Sequence, residues 1–556
     1  MKRSKSVRRC TSRVITAGAA LMFVMMAGFL PPADSDFYLK INQGIDRFGR
    51  VYKDVATNYV DDIDPEKFMQ AGIEGMLGIL DPYSVYIDKE DGEEVDLLTS
   101  GKYGGIGVTI GVRDGGVRIL NVMDGYSAQR QGMLPGDRFL EVDGKPVTSK
   151  KPDDVRGMTR GEPGTDVRVK VEREGEPAPL EFVLMREEIR VKNITYADFL
   201  GDGIAYIRIE RFSRPTGEEL RQAIRELKLK REPTGVVLDL RGNPGGLLDA
   251  AVDVLSKFVP RGTMVVRTKG RRADADKEYQ TSEDPLLPSV PLVCLTDRGS
   301  ASASEIVCGS LQDLDRALIV GTRTFGKGLV QTIFPLNDGS QLKITTARYY
   351  IPSGRSIQEI DYKHRDKAGV FVVEPDSQKR EFKTAHGRMV FEHGGITPDS
   401  IVNDTDPGPM VRDLQRKGLI FKFANRYFGT RRNGKVTAVN DSVMDALHLF
   451  LRDEKYDFQD ESATKVRDLK LIAEQYHYSK TVLSNLDALS AELNKEKERA
   501  FERYGDHITS EVTMEFAGRV QGERGRIEAS LVDDVQLKVA VGMIKDKKFF
   551  GKKLKR

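Results

Sequence analysis

The chain has 556 residues, 39% of them apolar and 31% charged, with a formal net charge of +3. That length calls for several domains rather than one core, and the near balance of charge, with no basic patch interleaved with aromatics, gives no case for a nucleic-acid partner. Cys10, Cys294 and Cys308 are the only cysteines, too few for a disulfide framework or a thiolate metal site.

Residues 1–30 read as an export segment. Lys2, Arg3, Lys5, Arg8, Arg9 and Arg13 precede an uncharged run from Val14 to Leu30, and the positive-inside rule leaves the rest of the chain outside the cytoplasm. The expected location is periplasmic or otherwise extracytoplasmic. No clean small-x-small cleavage site precedes Asp34, so both removal and retention of residues 14–30 as an inner-membrane anchor stay open.

From 37 to 100 the apolar spacing is helical, with Ile41, Ile45, Phe48, Val51 and Tyr52 on one stripe, and Asp81-Pro82 closes the segment. Next, Gly104-Gly105-Ile106-Gly107 runs straight into the β-branched stretch Val108-Thr109-Ile110. Glycine-rich backbone can turn its N–H groups onto an anion, and the strand edge behind it can pair with an extended peptide. Gly104, Gly105, Ile106 and Gly107 are therefore the candidate receptor for a chain's C-terminal carboxylate. With Ser127 to Met133 as a helix and Leu134-Pro135-Gly136-Asp137 as a turn, residues 101–188 look like a PDZ domain.

Strands and helices then alternate, which predicts an α/β core over 189–404. Arg241-Gly242-Asn243-Pro244-Gly245-Gly246 is a strand-to-helix turn whose amides suit a developing oxyanion. Ser300, Ser302 and Ser304 alternate with alanines and are followed at once by Glu305-Ile306-Val307, where a helical pattern begins. A hydroxyl there sits among unpaired amides at the positive end of a helix. Capping is the commoner role for serine in that position. The lysine in Phe325-Gly326-Lys327-Gly328 shifts the balance. Pinned between glycines it loses hydration, its neutral form is favoured, and the free amine can take a proton from a hydroxyl. Gln331, four residues on, can hold that amine by hydrogen bonding. Gly321 to Lys327 also fits the first seven positions of a phosphate loop, but Gly328 replaces the required Ser or Thr and the following residues alternate as a strand.

These residues resemble the carboxyl-terminal processing, or tail-specific, protease family, over about three quarters of the chain from Tyr59 to Asp399. The resemblance implies that the middle serine, Ser302, is the nucleophile, Lys327 the general base and Gln331 the residue orienting it. It implies oxyanion donors at the amides of Ala303 and of either Gly245 or Gly246. It also implies a crotonase-like β-spiral core and a PDZ domain that gates access to the site. No metal or organic cofactor is expected. All six histidines follow Lys327 without a zinc-ligand spacing.

The segment 361–388 is polar and reads as a loop insertion. Residues 405–556 are charged and mostly helical, an extension that solvent, a second copy, the PDZ domain or a partner would satisfy. The basic end, Lys545 to Arg556 with Phe549 and Phe550, is compatible with anionic lipid. The fold class expected is multidomain α/β: a protease core with an inserted PDZ domain, an N-terminal helical segment and a C-terminal helical extension. The function expected is an exported serine endopeptidase acting on proteins with accessible C-termini, with homo-oligomerisation allowed for. The alternative is a PDZ scaffold whose protease-like core is inactive.

Overall fold

A computed structural model describes residues 35–89, 99–365, 371–373, 380–429, 438–458 and 461–555. Residues 1–30, expected to be an export segment, lie outside them. No described helix is long and apolar enough to cross a membrane. The chain divides into two compact units, Met1–Tyr86 and Ile87–Arg556.

In the first unit α1 (Ser35–Asn58) is followed by α2 (Pro65–Leu77), whose first turn is capped by the Asp64 carboxylate accepting from Glu66 and Lys67 N–H. Tyr52 stacks on Phe68, with ring centroids 5.5 Å apart. Phe37, Ile41, Ile45, Phe48 and Val51 stay exposed.

The second unit begins with β1 (Lys102–Gly105), β2 (Val108–Arg113) and β3 (Gly116–Val122). After α3 (Ser127–Arg130) come β4 (Arg138–Val142), α4 (Pro152–Thr159), β5 (Asp166–Glu172), β6 (Leu180–Met185) and β7 (Glu187–Arg190). Strands β2 to β6 form one antiparallel sheet in chain order, and β1 pairs with β7. Alternate residues Val167, Val169 and Val171 point inward with Ile119, Phe139 and Leu184 to make the core, the period-2 pattern of a half-buried strand.

The central sheet comprises β8 (Ile194–Phe199), β9 (Ile204–Ile209), β10 (Gly235–Asp239), β13 (Leu292–Thr296), β14 (Leu318–Gly321) and β17 (Ser400–Ile401), in that spatial order, parallel from β9 onward. A second sheet includes β11 (Met264–Gly270), β12 (Lys277–Gln280), β15 (Leu329–Pro335) and β16 (Gln341–Tyr350). Helices α5 (Thr216–Lys230), α6 (Leu248–Leu255) and α7 (Ala303–Asp313) bury one face of the central sheet, the one carrying Ile207, Leu238, Cys294 and Ile319. Cys294 and Cys308 are free and fully buried, and desolvation pushes both thiols up. Segment 361–388, expected as a loop, instead carries short paired strands, Ile360–Arg365 with Phe371–Val373 and Glu381–Lys383 with Met389–Phe391; three of the four are only three residues long, too short to show a strand period.

The C-terminal region is helical: α8 (Pro409–Arg416), α9 (Leu419–Gly429), α10 (Asp441–Asp453), α11 (Glu461–Gln475), α12 (Lys480–Glu498), α13 (Gly505–Ser530, broken at Gly522), α14 (Val535–Lys545) and α15 (Lys547–Lys553). Helices α8 to α10 and α13 share a core around Phe423, Phe450 and Phe516. Leu537, Ala540, Ile544, Phe550 and Leu554 cover the other face of the central sheet, against Tyr206, Val237, Val293, Leu295 and Val320. This is why the central strands are apolar on both faces. Each large side chain buried there contributes about 1.5–3 kcal/mol. The basic end is therefore docked through Phe550 and Leu554, with its lysines outside.

Candidate active site

Strand β13 ends at Thr296, and the chain turns through Asp297 to Ser302 before α7 begins at Ala303. Asp297 Oδ1 accepts from the amides of Gly242 (2.9 Å), Gly299 (2.9 Å) and Ser300 (3.0 Å). The turn is thereby tied to the one following β10. Ser300 Oγ donates to Leu240 O at 2.8 Å and Ser304 Oγ to Asn243 O at 2.9 Å; both serines are fully buried. Ala301 N–H also donates to Asn243 O, at 3.0 Å. Two of the three serines thus lace the turns together. Ser302 is half-buried, with φ 54° and ψ −113°. A non-glycine residue in such a backbone costs about 1–3 kcal/mol, and sharp turns of this kind present nucleophiles.

Glu305 joins this turn to the lysine. Its carboxylate is fully buried and accepts four hydrogen bonds. Oε2 takes Ser302 N–H at 2.8 Å and Lys327 N–H at 2.9 Å; Oε1 takes Gly326 N–H at 2.7 Å and Thr324 Oγ1–H at 2.6 Å. Two amides on one oxygen set the Ser302 and Lys327 backbones side by side. Desolvation pushes the Glu305 carboxyl up to about 7 against the hydrogen bonds that favour its charge. Buried Tyr349 on β16 adds a clamp, its hydroxyl donating to Ser302 O (3.2 Å) and to Lys327 O. The sequence reading passed over both residues. A glutamate three positions after an N-cap serine is the capping-box signature and was the available signal for Glu305; Tyr349 had none.

The glycine turn after β10 packs directly on the serine. A Cβ on Gly245 would lie 2.6 Å from Ala301 O and 2.8 Å from Ser302 Cβ, and on Gly246 2.0 Å from Phe212 O. Both have positive φ, 97° and 144°, so glycine is required at each. Gly245 N–H is taken by Asn243 Oδ1 at 2.8 Å. The amides of Gly246 and Ala303 have no hydrogen-bond acceptor among the described residues. Gln331 lies on β15, half-buried, its Nε2 donating to Thr345 Oγ1 at 3.1 Å.

The four residues expected as a carboxylate receptor, Gly104 to Gly107, fall partly in a strand and partly in a turn. Gly104 and Gly105 belong to β1, in register with Glu188 and Glu187 of β7, which leaves Ile106 and Gly107 as the turn. Their carbonyls accept from Ala128 and Met123. Their amides meet no acceptor among the described residues. Helix α4 packs beside β2, the strand that follows.

Comparison with known proteins matches residues 203–366 to peptidase family S41, 118–173 to a PDZ domain, 410–544 to the C-terminal helical domain of a probable PDZ-protease, and 32–91 to the N-terminal domain of the activating protease CtpB. The carboxy-terminal-processing protease of Bartonella bacilliformis is 39% identical over 318 residues, covering 56% of this chain and 72% of that one. The chain belongs to the carboxy-terminal-processing protease family. It is a serine-type processing peptidase of family S41 with a PDZ domain and a helical C-terminal region. CtpB of Bacillus subtilis is 29% identical over 446 residues, 78% of this chain and 91% of its own. Among solved structures, the photosystem II D1 C-terminal processing protease is 26% identical, with 66% of this chain and 95% of that one covered at a TM-score of 0.34. In this processing protease the C-terminal helices lie against the PDZ domain: Arg519 Nη1 on α13 donates to Pro135 O at 2.8 Å, and Asn425 on α9 packs on Gly136.

Proposed function

We propose that the protease captures protein C-termini in its PDZ domain and cleaves peptide bonds with a Ser302–Lys327 dyad. The observation that carries the assignment is the division of labour among the serines. The hydroxyls of Ser300 and Ser304 are buried and committed to Leu240 O and Asn243 O. Ser302 alone of the three is partly accessible, at a helix N-terminus, with its backbone beside that of Lys327.

Neutral Lys327 Nζ takes the Ser302 proton as Oγ bonds to the scissile carbonyl carbon, and the carbonyl oxygen becomes an oxyanion. The amides of Ala303 and Gly246 hold that charge; Gly246 is favoured over Gly245 because Asn243 already occupies the Gly245 amide. As the C–N bond breaks, Lys327 returns the proton to the leaving amine. Water then hydrolyses the acyl-serine by the same path. Gln331 orients the amine. Ile106 and Gly107 receive the substrate carboxylate, and β2 pairs with its extended backbone. Export through residues 1–30 would bring the enzyme to extracytoplasmic substrates.

The test is cleavage of a peptide with a free apolar C-terminus by the parent, Ser302→Ala and Lys327→Ala. Each variant is expected to lose roughly 10⁴-fold or more in kcat. Cleavage by both at the parent rate would overturn the dyad. An amidated C-terminus is expected to raise KM by weakening capture.

A further inference from the structure

The turn that carries Gly245 and Gly246 begins at Arg241, and the guanidinium of Arg241 reaches into the C-terminal helical region. Its Nη2 donates to Asp534 Oδ2 at 2.6 Å and its Nη1 to Gln536 Oε1 at 3.0 Å. On the other side the same guanidinium binds Asp239, with Nε at 3.0 Å from Oδ1 and Nη2 at 2.5 Å from Oδ2. Asp239 is fully buried, and Tyr206 Oη donates to it at 2.6 Å. Burial pushes the Asp239 carboxyl up, but the charge and hydrogen bonds of Arg241 outweigh it and hold the group below its usual range. Asp534 and Gln536 are nearly buried themselves, with 9% and 2% exposure.

Neither partner is a loose surface contact. Asp534 uses its other oxygen to cap α14, accepting from Leu537 N–H at 2.8 Å, and Gln536 Nε2 donates to Val402 O at 2.8 Å. The first turn of α14 is therefore fixed against the central sheet, and Arg241 is fixed by it. From Arg241 the chain runs through Gly242, whose amide is held by Asp297 Oδ1, and Asn243, whose carbonyl takes Ala301 N–H and Ser304 Oγ–H, to the Gly246 amide. Gly242, Asn243 and Gly245 on this path are each held by hydrogen bonds.

We infer that Asp534 and Gln536 are positioning residues for peptide-bond cleavage, setting the Gly246 amide through Arg241. The inference rests on the Ser302 reading above. A buried guanidinium with its acceptors in place has one geometry, and removing one acceptor lets it swing and the turn relax. An oxyanion donor displaced by a fraction of an ångström loses transition-state binding and leaves substrate binding alone.

Arg241→Ala strands buried Asp239 and is a poor probe, since the chain can fail to fold. Asp534→Asn keeps the helix cap and Gln536→Met keeps the volume. In the full-length protein each is expected to lower kcat roughly tenfold with KM within about twofold, and to weaken a peptide boronic acid by the same factor as kcat/KM. Binding of an uncleavable C-terminal peptide is expected to stay unchanged. Unchanged kcat and boronate affinity in both folded variants would overturn the inference, as would a parallel loss of thermal stability, peptide binding and activity, which marks a purely structural contact. Ser302→Ala is measured alongside. A Ser302→Ala protein that still cleaves removes the underlying dyad, whereas a dead Ser302→Ala with fully active Asp534→Asn and Gln536→Met removes this inference alone.

Discussion

At the level of single residues the site turns on Glu305. Three of its four partners are backbone amides that can only donate, so the protonated acid must either reverse the Thr324 hydroxyl bond or lose an amide. With its carboxyl pushed up to about 7, kcat/KM is expected to fall as pH drops through about 7, and a pH profile of Glu305→Gln should lack that limb. The stability sign is opposite. The folded group titrates above its ordinary value of 4.5, so its contribution to stability is complete below 4.5 and is lost as pH rises toward 7. Thermal melts of the parent relative to Glu305→Gln should show that loss between those values. Ser300→Ala and Ser304→Ala each remove a buried hydrogen bond and are expected to cost about 1 kcal/mol of stability while retaining activity that Ser302→Ala loses; paired denaturation and cleavage assays check this. The sequence singled out Ser302 and Lys327 as candidates because small residues and glycines flank each of them locally. It could not show that Ser300 and Ser304 are spoken for, because their acceptors lie 60 and 61 residues away.

At the level of elements, two strand-to-helix turns face each other, laced by Ser300 to Leu240 O, Ser304 to Asn243 O and Gly242 to Asp297. Gly245 sits where a methyl group would meet Ala301 O at 2.6 Å in a backbone with φ 97°. Gly245→Ala is therefore expected to cut kcat by roughly 10²–10³, the scale of losing one oxyanion donor, with peptide binding to the PDZ domain intact by titration. The strands and helices of the core were readable from apolar runs and their turns, to within a few residues at the ends. The paired strands of segment 361–388 were not, because strands of three residues such as Phe371–Val373 and Met389–Phe391 are too short to display a period of two. The glycine motif at 104–107 was found, but pairing of β1 with β7 takes Gly104 and Gly105 into a strand, and no local pattern marks a partner eighty-odd positions away.

At the level of the whole molecule, the C-terminal helices do two jobs that their composition did not announce. They lie on the PDZ domain through Arg519, and they supply Leu537, Ile544, Phe550 and Leu554 to the sheet that carries the site. Helical spacing showed that this region had apolar faces; it could not say against what. Removal of residues 534–556 bares Val237, Val293, Leu295 and Val320, several apolar side chains at once. The truncated protein is expected to aggregate or to bind a hydrophobic dye strongly at temperatures where the parent does not. Retention of a monomeric, melting-competent protein would show that the sheet tolerates an uncovered face.

The break in α13 at Gly522, with φ 66° and ψ −159°, lets the chain leave the PDZ domain and arrive on the catalytic sheet, so the strands made early stay half-clothed until a much later stretch is synthesised. Arg241 and Asp534 are separated by 293 positions, so closing the contact between them carries the loop-closure cost of a long stretch of chain. Until residues 534–536 are made, the Arg241 guanidinium at the head of the glycine turn lacks two of the acceptors that hold it.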